Sequence, residues 1–481
     1  MMAPSIHWFR LDLRLADNPA LRAAVDRGGA VVPVFVLSPE EEGDWPPGGA
    51  STWWLHQSLA ALDAALRERN SRLVLRRGPA LTCLRALARE TGARMVSWNR
   101  RYEPGVAARD KAVEQALEAD GLETQTANAA LLHEPWTLRN QSGGPFQVFT
   151  PFWRRCLSQP DPEEPLATPR RLPAPAKWPQ SLVLEDLDLE PQIDWAAGLR
   201  AAWQPGEAGA RAALRRFLTD AFLEYENQRN RPDLTGTSRL SPHLHFGEIS
   251  PRQIWHDVKR LAEERGLPLP RWRNSAFLTE LGWREFSHHL LHHFPHTPGE
   301  PLRPAFKTFP WRKEPALLEA WRKGRTGYPI VDAGMRELWA TGWMHNRVRM
   351  IAGSFLVKDL LVSWTEGARW FWDTLVDADL AQNTLGWQWV AGCGADAAPY
   401  FRVFNPTIQG EKFDPQGRYV RRWCPELEHW PDRWIHRPHE APPAVQRTAA
   451  TASGLTYPPP IVSHTIAREV ALQAYARMNA R

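Results

Sequence analysis

Residues 6–37 read IHWFRLDLRLADNPALRAAVDRGGAVVPVFVL, an apolar run, a stretch with helical spacing and a second apolar run. The same alternation continues to about residue 130. It predicts strands at 6–9, 31–37, 73–75, 95–98 and 122–126, separated by helices at 18–27, 52–69, 80–90 and 107–119. Because strands that alternate with helices pair in parallel, this part is predicted to be a parallel sheet with helices on both faces.

The rest of the chain has a different pattern. Residues 158–206 are rich in proline and acidic residues, which indicates an ordered connector rather than a domain. From about residue 207, apolar residues recur at three- and four-residue spacing and predict helices at 208–224, 251–265, 274–293, 315–323, 331–341 and 346–361. The predicted fold class is therefore α/β plus all-α, with an α/β domain at 1–131, an interdomain linker at 132–206 and an all-helical domain at 207–481.

Composition excludes several classes of protein. No run of about eighteen apolar residues is present, so we expect no transmembrane helix and no membrane partner. The N-terminal residues include arginine and aspartate where a signal peptide is apolar, which favours a cytoplasmic location. The four cysteines have no CxxC spacing and predict neither a zinc site nor a disulfide framework.

Charge and tryptophan are both distributed unevenly. Residues 1–200 have a net charge of −2, whereas residues 201–481 have +7, which favours a polyanionic partner for the second half. A solvated basic face explains the charge equally well. Of the 25 tryptophans, 16 lie after residue 200. Most tryptophans belong to protein cores, but this number also raises the question of stacking on bases or flavin, or of electron transfer.

Two segments carry candidate chemistry. Residues 236–248, GTSRLSPHLHFGE, offer hydroxyls ahead of a helix, where such groups either bind a phosphate or cap the helix. Residues 375–390, LVDADLAQNTLGWQWV, place Asp377 and Asp379 two apart, and acids in this pattern are caps or metal ligands. The run 288–296, HHLLHHFPH, has two i,i+4 histidine pairs but no third-ligand signature, so we expect no metal there.

Several longer motifs occur together and in order. They are WFRLDLRLADNPAL, TSRLSPHLHFGEIS, WREFSHHLLHHFP, TGYPIVDAGMRELWATGWMHNR and FRVFNPTIQGEKFD. With these motifs the chain resembles the photolyase/cryptochrome family over nearly its whole length. The resemblance implies an enzyme of the deoxyribodipyrimidine photo-lyase type, which uses FAD and blue light to repair cyclobutane pyrimidine dimers in DNA. It also implies that the first domain is of the antenna type and that the helical domain binds FAD.

The resemblance assigns the FAD contacts by motif. The matching residues are Tyr225, Thr237, Ser238, Arg239, Leu240, Ser241, Arg347, Asp377, Asp379 and Asn383. In the family, the residue matching Arg347 pairs with the first of the two acids. The residue matching Asn383 faces the flavin N5, where a neutral amide can donate or accept a hydrogen bond.

The resemblance also implies residues for the lesion, the electron path and DNA. Glu280 and Trp283 lie three apart on one helical face. The family uses such a glutamate to hydrogen-bond the lesion and such a tryptophan to stack on it. The remaining matches are Asn346, Met350 and Trp389 for the lesion pocket, Trp387, Trp364 and Trp311 for electron transfer from the flavin outward, and Arg229 and Gln409 for DNA contact.

Three alternatives to this function are considered. A (6-4) photolyase would have histidines at Asn346 and Met350, so we reject it. Plant-type cryptochrome photoreceptors have aspartate at the position of Asn383 and often a long disordered tail, which we do not expect after Arg481. A short bacterial cryptochrome remains open. A light-independent nucleic-acid-binding protein is disfavoured because the flavin loop and the tryptophan series are intact.

The antenna chromophore is left unidentified. The family's folate-contacting Asn-Glu pair falls at Gly105 and Val106, and its deazaflavin-contacting acid falls at Arg101. A folate held in another way, a second flavin or an empty site all remain open, as does the choice between class I and class III. We expect a monomer whose partner is UV-damaged DNA.

Overall fold

The structure is a computed structural model that describes residues 2–480. Its strands are β1 Ser5–Phe9, β2 Val31–Leu37, β3 Val74–Arg77, β4 Met95–Asn99 and β5 Glu123–Ala127. The first helices are α1 Pro19–Asp26, α2 Gly49–Arg67, α3 Ala80–Thr91, α4 Pro104–Ala119, α5 Phe149–Leu157 and α6 Ala197–Ala202.

The remaining chain is helical, as the spacing predicts. Its helices are α7 Glu207–Asp220, α8 Tyr225–Gln228, α9 Ser241–His245, α10 Pro251–Glu264, α11 Leu269–Arg273, α12 Ala276–His293, α13 Pro315–Arg322, α14 Pro329–Thr341, α15 Asn346–Ser354, α16 Trp364–Thr374, α17 Leu380–Ala391, α18 Pro406–Phe413, α19 Arg418–Trp423, α20 Pro443–Ser453 and α21 His464–Asn479.

Within residues 2–480, the strands form one parallel sheet in the order β3-β2-β1-β4-β5, and this confirms the predicted fold class. Alternate residues of β1, Ile6 and Trp8, pack with α3 and α4 in one buried cluster. Helix α1 packs on β1 and β4, and its buried residues are absent from that cluster, which places α1 on the other face. The sheet is therefore covered on both faces.

Polar side chains of the chain itself occupy the point where the strand order reverses, between β1 and β4. In sheets of this kind, ligands typically bind there, beyond the carboxyl ends of the strands. Here Arg10 donates to the carbonyl oxygen of Asn99 and to Asp110. The Asn99 amide donates to Asp12 at 2.6 Å and to Asn18 at 2.7 Å. All five residues are buried.

The described residues group into two compact units. The first comprises residues up to Asp220 together with Ser238–Pro295 and Val376–Leu380, and the second comprises Ala221–Thr237, His296–Leu375 and residues from Ala381 on. The domain bounds expected from the sequence stay a prediction. No helix in residues 2–480 is both long and apolar enough to cross a membrane. All four cysteines are described, and none forms a disulfide.

Helix α5 was missed by the sequence analysis, which assigned its residues to the linker. Its sequence, FTPFWRRCL, contains Pro151 at the third helical position. Proline is tolerated there because the first four N–H groups of a helix have no partner within it. Two helix ends also differ from the prediction, since α7 ends at Asp220 before a short 3₁₀ turn and α15 passes after Ser354 into the π-helical turn Phe355–Asp359.

The segment that precedes α5 is hydrogen-bonded to one face of α12. The buried carboxylate of Glu285 accepts from the backbone N–H groups of Leu132 and His133, each at 3.0 Å. Its neighbour Arg284 donates to the carbonyl oxygen of Ala130 at 2.5 Å. Burial raises the pKa of Glu285 to about 7, although Arg284 and the two N–H groups oppose this shift.

The histidines of α12 have structural partners. His289 Nε2 accepts from the N–H of Phe146 at 2.9 Å, so Nδ1 carries the hydrogen and donates to the carbonyl oxygen of Pro135 at 3.0 Å. Burial lowers the pKa of His289 to about 4, which keeps the ring neutral. His293 also contacts the Pro135 carbonyl oxygen. Across residues 2–480, no group of three or more His, Cys, Asp or Glu side chains is arranged to hold a metal.

We predict that Glu285→Ala lowers the free energy of unfolding by about 2–4 kcal/mol, because two backbone N–H groups lose their buried acceptor. Glu285→Gln keeps one acceptor and should cost less. Since the folded-state pKa of Glu285 lies above the ordinary value of 4.5, its contribution to stability is present below pH 4.5 and is lost as the pH rises to about 7. Over that range the stability of the Gln variant should rise relative to the parent.

Urea unfolding followed by circular dichroism measures both effects. Glu263→Ala, which removes an exposed carboxylate from α10, is the matched control. If Glu285→Ala cost no more than this control, the hydrogen bonds from Leu132 and His133 would not hold the segment.

Candidate functional site

In the first unit, α12 presents Glu280 and Trp283 on the side away from Glu285. Both residues are partly exposed, whereas most of the helix is buried. The Trp283 indole lies parallel to the ring of Phe149, with 3.8 Å between ring centroids and 8° between planes. Phe286 contacts it edge-on at 5.9 Å. The structure thus places a carboxylate beside an aromatic surface that is held on one side.

The first unit also contains Asp379, whose carboxylate lies between two histidines. Oδ2 is 3.5 Å from His288 Nε2 and 3.8 Å from His245 Nδ1. Burial alone would raise the pKa of Asp379, but the charges of His288, His245 and Arg284 outweigh it and hold that pKa well below its usual range. Asp379 is therefore an ionised acceptor. Asp377, two residues earlier, is buried.

The hydroxyl-rich loop is described in two parts, because Thr237 belongs to the second unit and residues 238–241 to the first. Arg239 has a φ of 53°, a left-handed conformation that non-glycine residues rarely adopt. Its guanidinium lies over the ring of Trp203, 4.3 Å from the centroid. Ser238 Oγ accepts from the N–H of Leu240, which is buried, and Ser241 begins α9. Such strained loops are common at binding sites.

In the second unit, Arg347 is held in place by Asn230. Both Nε and Nη2 donate to Asn230 Oδ1, at 3.1 and 2.7 Å, and the guanidinium lies over the ring of Phe413 at 4.6 Å. The sequence analysis missed Asn230, which has no motif of its own. Tyr225 begins α8, and Arg229 lies over its ring at 5.9 Å.

Asn346 and Met350 lie one turn apart on α15. Asn346 is exposed and Met350 is partly exposed, so the two side chains share an accessible face. The helix is capped by His345, whose Nδ1 accepts from the N–H of Arg347 at 3.1 Å. Burial, with help from Arg347 and Arg349, lowers the pKa of His345 to about 3. The cap is therefore a neutral imidazole.

Helix α17 is anchored by Gln388 and carries three residues that the sequence analysis singled out. The buried Gln388 amide donates to the carbonyl oxygens of Thr297 and Glu300, at 2.7 and 2.8 Å. Asn383 donates through Nδ2 to the carbonyl oxygen of Ala368 at 3.0 Å, which leaves Oδ1 as an acceptor. Trp389 is partly exposed, whereas Trp387 is buried.

Trp387 is enclosed by α16 and by a further tryptophan. A Cβ atom on Gly367 would lie 2.1 Å from its ring, so the α16 backbone touches the indole. Trp364 begins the same helix, one turn before Gly367, and is also buried. Trp321, which the sequence analysis missed, contacts Trp387 edge-on at 6.2 Å and donates through Nε1 to the carbonyl oxygen of Ala352.

Trp311 lies on the segment beside the start of α16. The N–H of Arg312 donates to the carbonyl oxygen of Leu361 at 2.8 Å, and Arg312 forms a β-bridge with Val362, two residues before Trp364. Trp311 is partly exposed and packs on Phe309 at 4.3 Å. Within the second unit, burial thus decreases from Trp387 and Trp364 to Trp311.

The two residues assigned to DNA contact are accessible. Arg229 follows α8 and is partly exposed. Gln409 lies on α18, whose first turn is capped by the Asn405 side chain, and it is also partly exposed. A guanidinium and an amide in these positions can donate to phosphate or base acceptors.

At Arg101, the position of the family's deazaflavin-contacting acid, the guanidinium forms ion pairs. It donates to Glu42 at 2.8 Å through both terminal nitrogens and to Glu103 at 2.9 Å. Burial alone would lower the pKa of Arg101, but the two glutamates raise it above its usual value. Arg101 therefore remains a cation.

Comparisons with known proteins show which family the chain is similar to. Residues 5–175 match the family described as DNA photolyase, and residues 277–477 match the FAD binding domain of DNA photolyase. A deoxyribodipyrimidine photo-lyase of Agrobacterium fabrum is 51% identical, with 98% of each chain covered. Cryptochrome-1 of Arabidopsis thaliana is 43% identical over 98% of this chain and 70% of that cryptochrome.

A solved structure also covers the whole chain. A bacterial class III photolyase from Agrobacterium tumefaciens superimposes with a TM-score of 0.95 at 50% identity, covering 100% of this chain and 98% of that one. That structure covers both the parallel sheet and the helical part of this chain. The chain belongs to the photolyase/cryptochrome family and carries that family's FAD-binding domain.

Proposed function

We propose that this protein is a deoxyribodipyrimidine photo-lyase that repairs cyclobutane pyrimidine dimers in DNA. The observation that carries the proposal is the accessible face of α12, where Glu280 stands beside the stacked indole of Trp283. A pyrimidine dimer turned out of the helix needs an aromatic surface and a few polar contacts, and photolyases are among the standard examples of that requirement. The relatives named as photo-lyases support the same activity.

The residues matched to FAD fit that cofactor chemically. Asn383 has Oδ1 left as an acceptor, which suits a protonated ring nitrogen, because Nδ2 is already used by Ala368. Asp379 supplies an ionised acceptor, and Arg347 a cation oriented by Asn230. Tyr225 and residues 237–241 would hold the phosphates. When bound, FAD supplies the electron that blue light transfers to the dimer and that returns after the ring is split.

The protein's contribution to the reaction is orientation and electrostatics. Trp283 would stack on the dimer. Glu280, in its protonated form, would donate a hydrogen bond to a base carbonyl oxygen that becomes negatively charged after electron transfer. Asn346 would add a second polar contact, while Met350 and Trp389 would provide apolar surface. Neither Asn346 nor Met350 is an acid, which supports cyclobutane dimers rather than (6-4) lesions as substrate.

DNA is the proposed partner of the second half of the chain. Its net charge of +7, with Arg229 and Gln409 accessible, supports binding through phosphates. The similarity to a class III photolyase supports that class over class I. An antenna chromophore of folate or flavin type, a monomeric state and a cytoplasmic location stay predictions.

We predict that the protein with reduced flavin and blue light restores thymines from cyclobutane dimers and leaves (6-4) lesions unchanged. Glu280→Ala should lower the repair yield per absorbed photon more than the affinity for damaged DNA, because the charge it stabilises exists only after electron transfer. Chromatography of irradiated oligonucleotides counts the products, and Glu263→Ala on α10 is the control. A protein that binds FAD and photoreduces normally but repairs no dimer would instead favour a cryptochrome photoreceptor.

A second prediction concerns the tryptophan series. Gly367→Ala places a methyl group on the Trp387 ring and should slow flavin photoreduction, because displacing the indole lengthens an electron-transfer step. Gly386→Ala, whose Cβ meets open space one residue before Trp387, should leave the rate unchanged. Trp311→Phe, at a partly exposed position, should slow photoreduction without unfolding the protein.

Absorbance during blue illumination measures these rates, with bound FAD and thermal midpoint determined for each variant. Parental rates in both Gly367→Ala and Trp311→Phe, at full FAD content, would show that electrons enter by another route.

A further inference from the structure

One face of the Trp283 indole is covered by the protein itself. Phe149 lies parallel to it at 3.8 Å and is 7% exposed, while Trp283 remains partly exposed. Parallel rings at this distance are in van der Waals contact, so nothing can insert between them. A flat ligand can therefore stack only on the opposite face of Trp283.

The position of Phe149 is fixed by other aromatic rings. Its ring contacts Phe286 edge-on at 5.9 Å, and Phe286 is fully buried and also contacts Trp283 edge-on. Phe152, one turn further along α5, packs on Phe286 at 5.2 Å. Aromatic pairs prefer these offset and edge-on geometries, so the cluster defines one orientation for the Trp283 plane.

The ring of Trp153 on α5 lies against the backbone of α12 beside Trp283. A Cβ atom on Gly282 would lie 2.6 Å from the ring of Trp153, so only glycine fits beside Trp283. The chain that leads into α5 is bound to α12 through Glu285 and His289. Glu285 lies on the side of α12 away from Trp283, and these contacts together hold the two helices in register.

We propose that Phe149 is a positioning residue for lesion recognition: it fixes the Trp283 plane and covers one of its faces, so that a flipped pyrimidine dimer stacks only on the other. This inference rests on the proposed function. It assigns part of the substrate specificity to the segment before the helical domain, which otherwise makes structural contacts. Undamaged DNA, whose bases stay stacked, would not use this surface.

The test is a comparison of damaged and undamaged DNA. Phe149→Leu should weaken binding of an oligonucleotide with one cyclobutane thymine dimer by about threefold to tenfold, which is what the loss of one aromatic pair costs in affinity. Binding of the undamaged oligonucleotide should stay unchanged. KM for repair should rise while the yield per bound dimer stays the same, because Phe149 touches neither the lesion nor FAD. Phe149→Tyr, which keeps the stacked ring, should restore parental affinity.

Two controls separate positioning from folding. Phe35→Leu removes the same atoms at a buried site on β2, 6% exposed and outside this aromatic cluster, and it should not change the preference for damaged DNA. In a double-mutant cycle, Phe149→Leu should have no further effect once Trp283 is replaced by leucine. Bound FAD and thermal midpoint are measured for every variant.

The outcomes are distinguishable. A parent protein that binds damaged and undamaged DNA alike would overturn the proposed function itself. The role of Phe149 alone would be overturned if the parent prefers damaged DNA and Phe149→Leu is equally selective. Additive effects of Phe149→Leu and Trp283→Leu in the double-mutant cycle would overturn it as well.

Discussion

The buried carboxylate of Glu285 determines which way α12 faces. It accepts two backbone N–H groups from the preceding segment, and a neutral His289 one turn further on accepts a third. Each of these groups would be costly to leave unpaired in the interior, so the helix cannot rotate without losing all of them. The residues on its other side, Glu280 and Trp283, are consequently held at the surface with one orientation.

The cost of leaving polar groups unpaired also explains the charged residues elsewhere. Many α/β proteins bind a ligand at the point where the strand order reverses. Here Arg10 and Asn99 instead donate hydrogen bonds at that point to neighbouring side chains and carbonyl oxygens. Asp379 differs in that its carboxylate lies near two histidines, His245 and His288, and it is ionised and partly accessible. Buried polar groups with all partners inside the chain are structural, and those left accessible are candidates for binding.

The sequence predicts a great deal of this molecule. The alternation of apolar runs located all five strands of the described sheet. Helical spacing located α1–α4, α7, α10 and α12–α15, but gave no bounds for α16, α17, α20 and α21. Motifs named candidate site residues, but not what holds them. Phe149, Asn230 and Trp321 were missed because each acts through a partner 66 to 134 positions away, and periodicity reports only neighbours along the chain. The histidine run showed two i,i+4 pairs, but His289 and His293 contact the carbonyl oxygen of Pro135, a backbone group that no side-chain pattern reveals.

A crystal structure of the protein with FAD and an oligonucleotide containing one cyclobutane thymine dimer would show whether α12 presents Glu280 and the uncovered face of Trp283 to a flipped pyrimidine dimer. We expect the dimer to be turned out of the duplex and stacked on the Trp283 face opposite Phe149, with a base carbonyl within hydrogen-bond distance of Glu280. A dimer that remains in the duplex, or that lies away from α12 while the Phe149–Trp283 stack is unchanged, would rule this arrangement out.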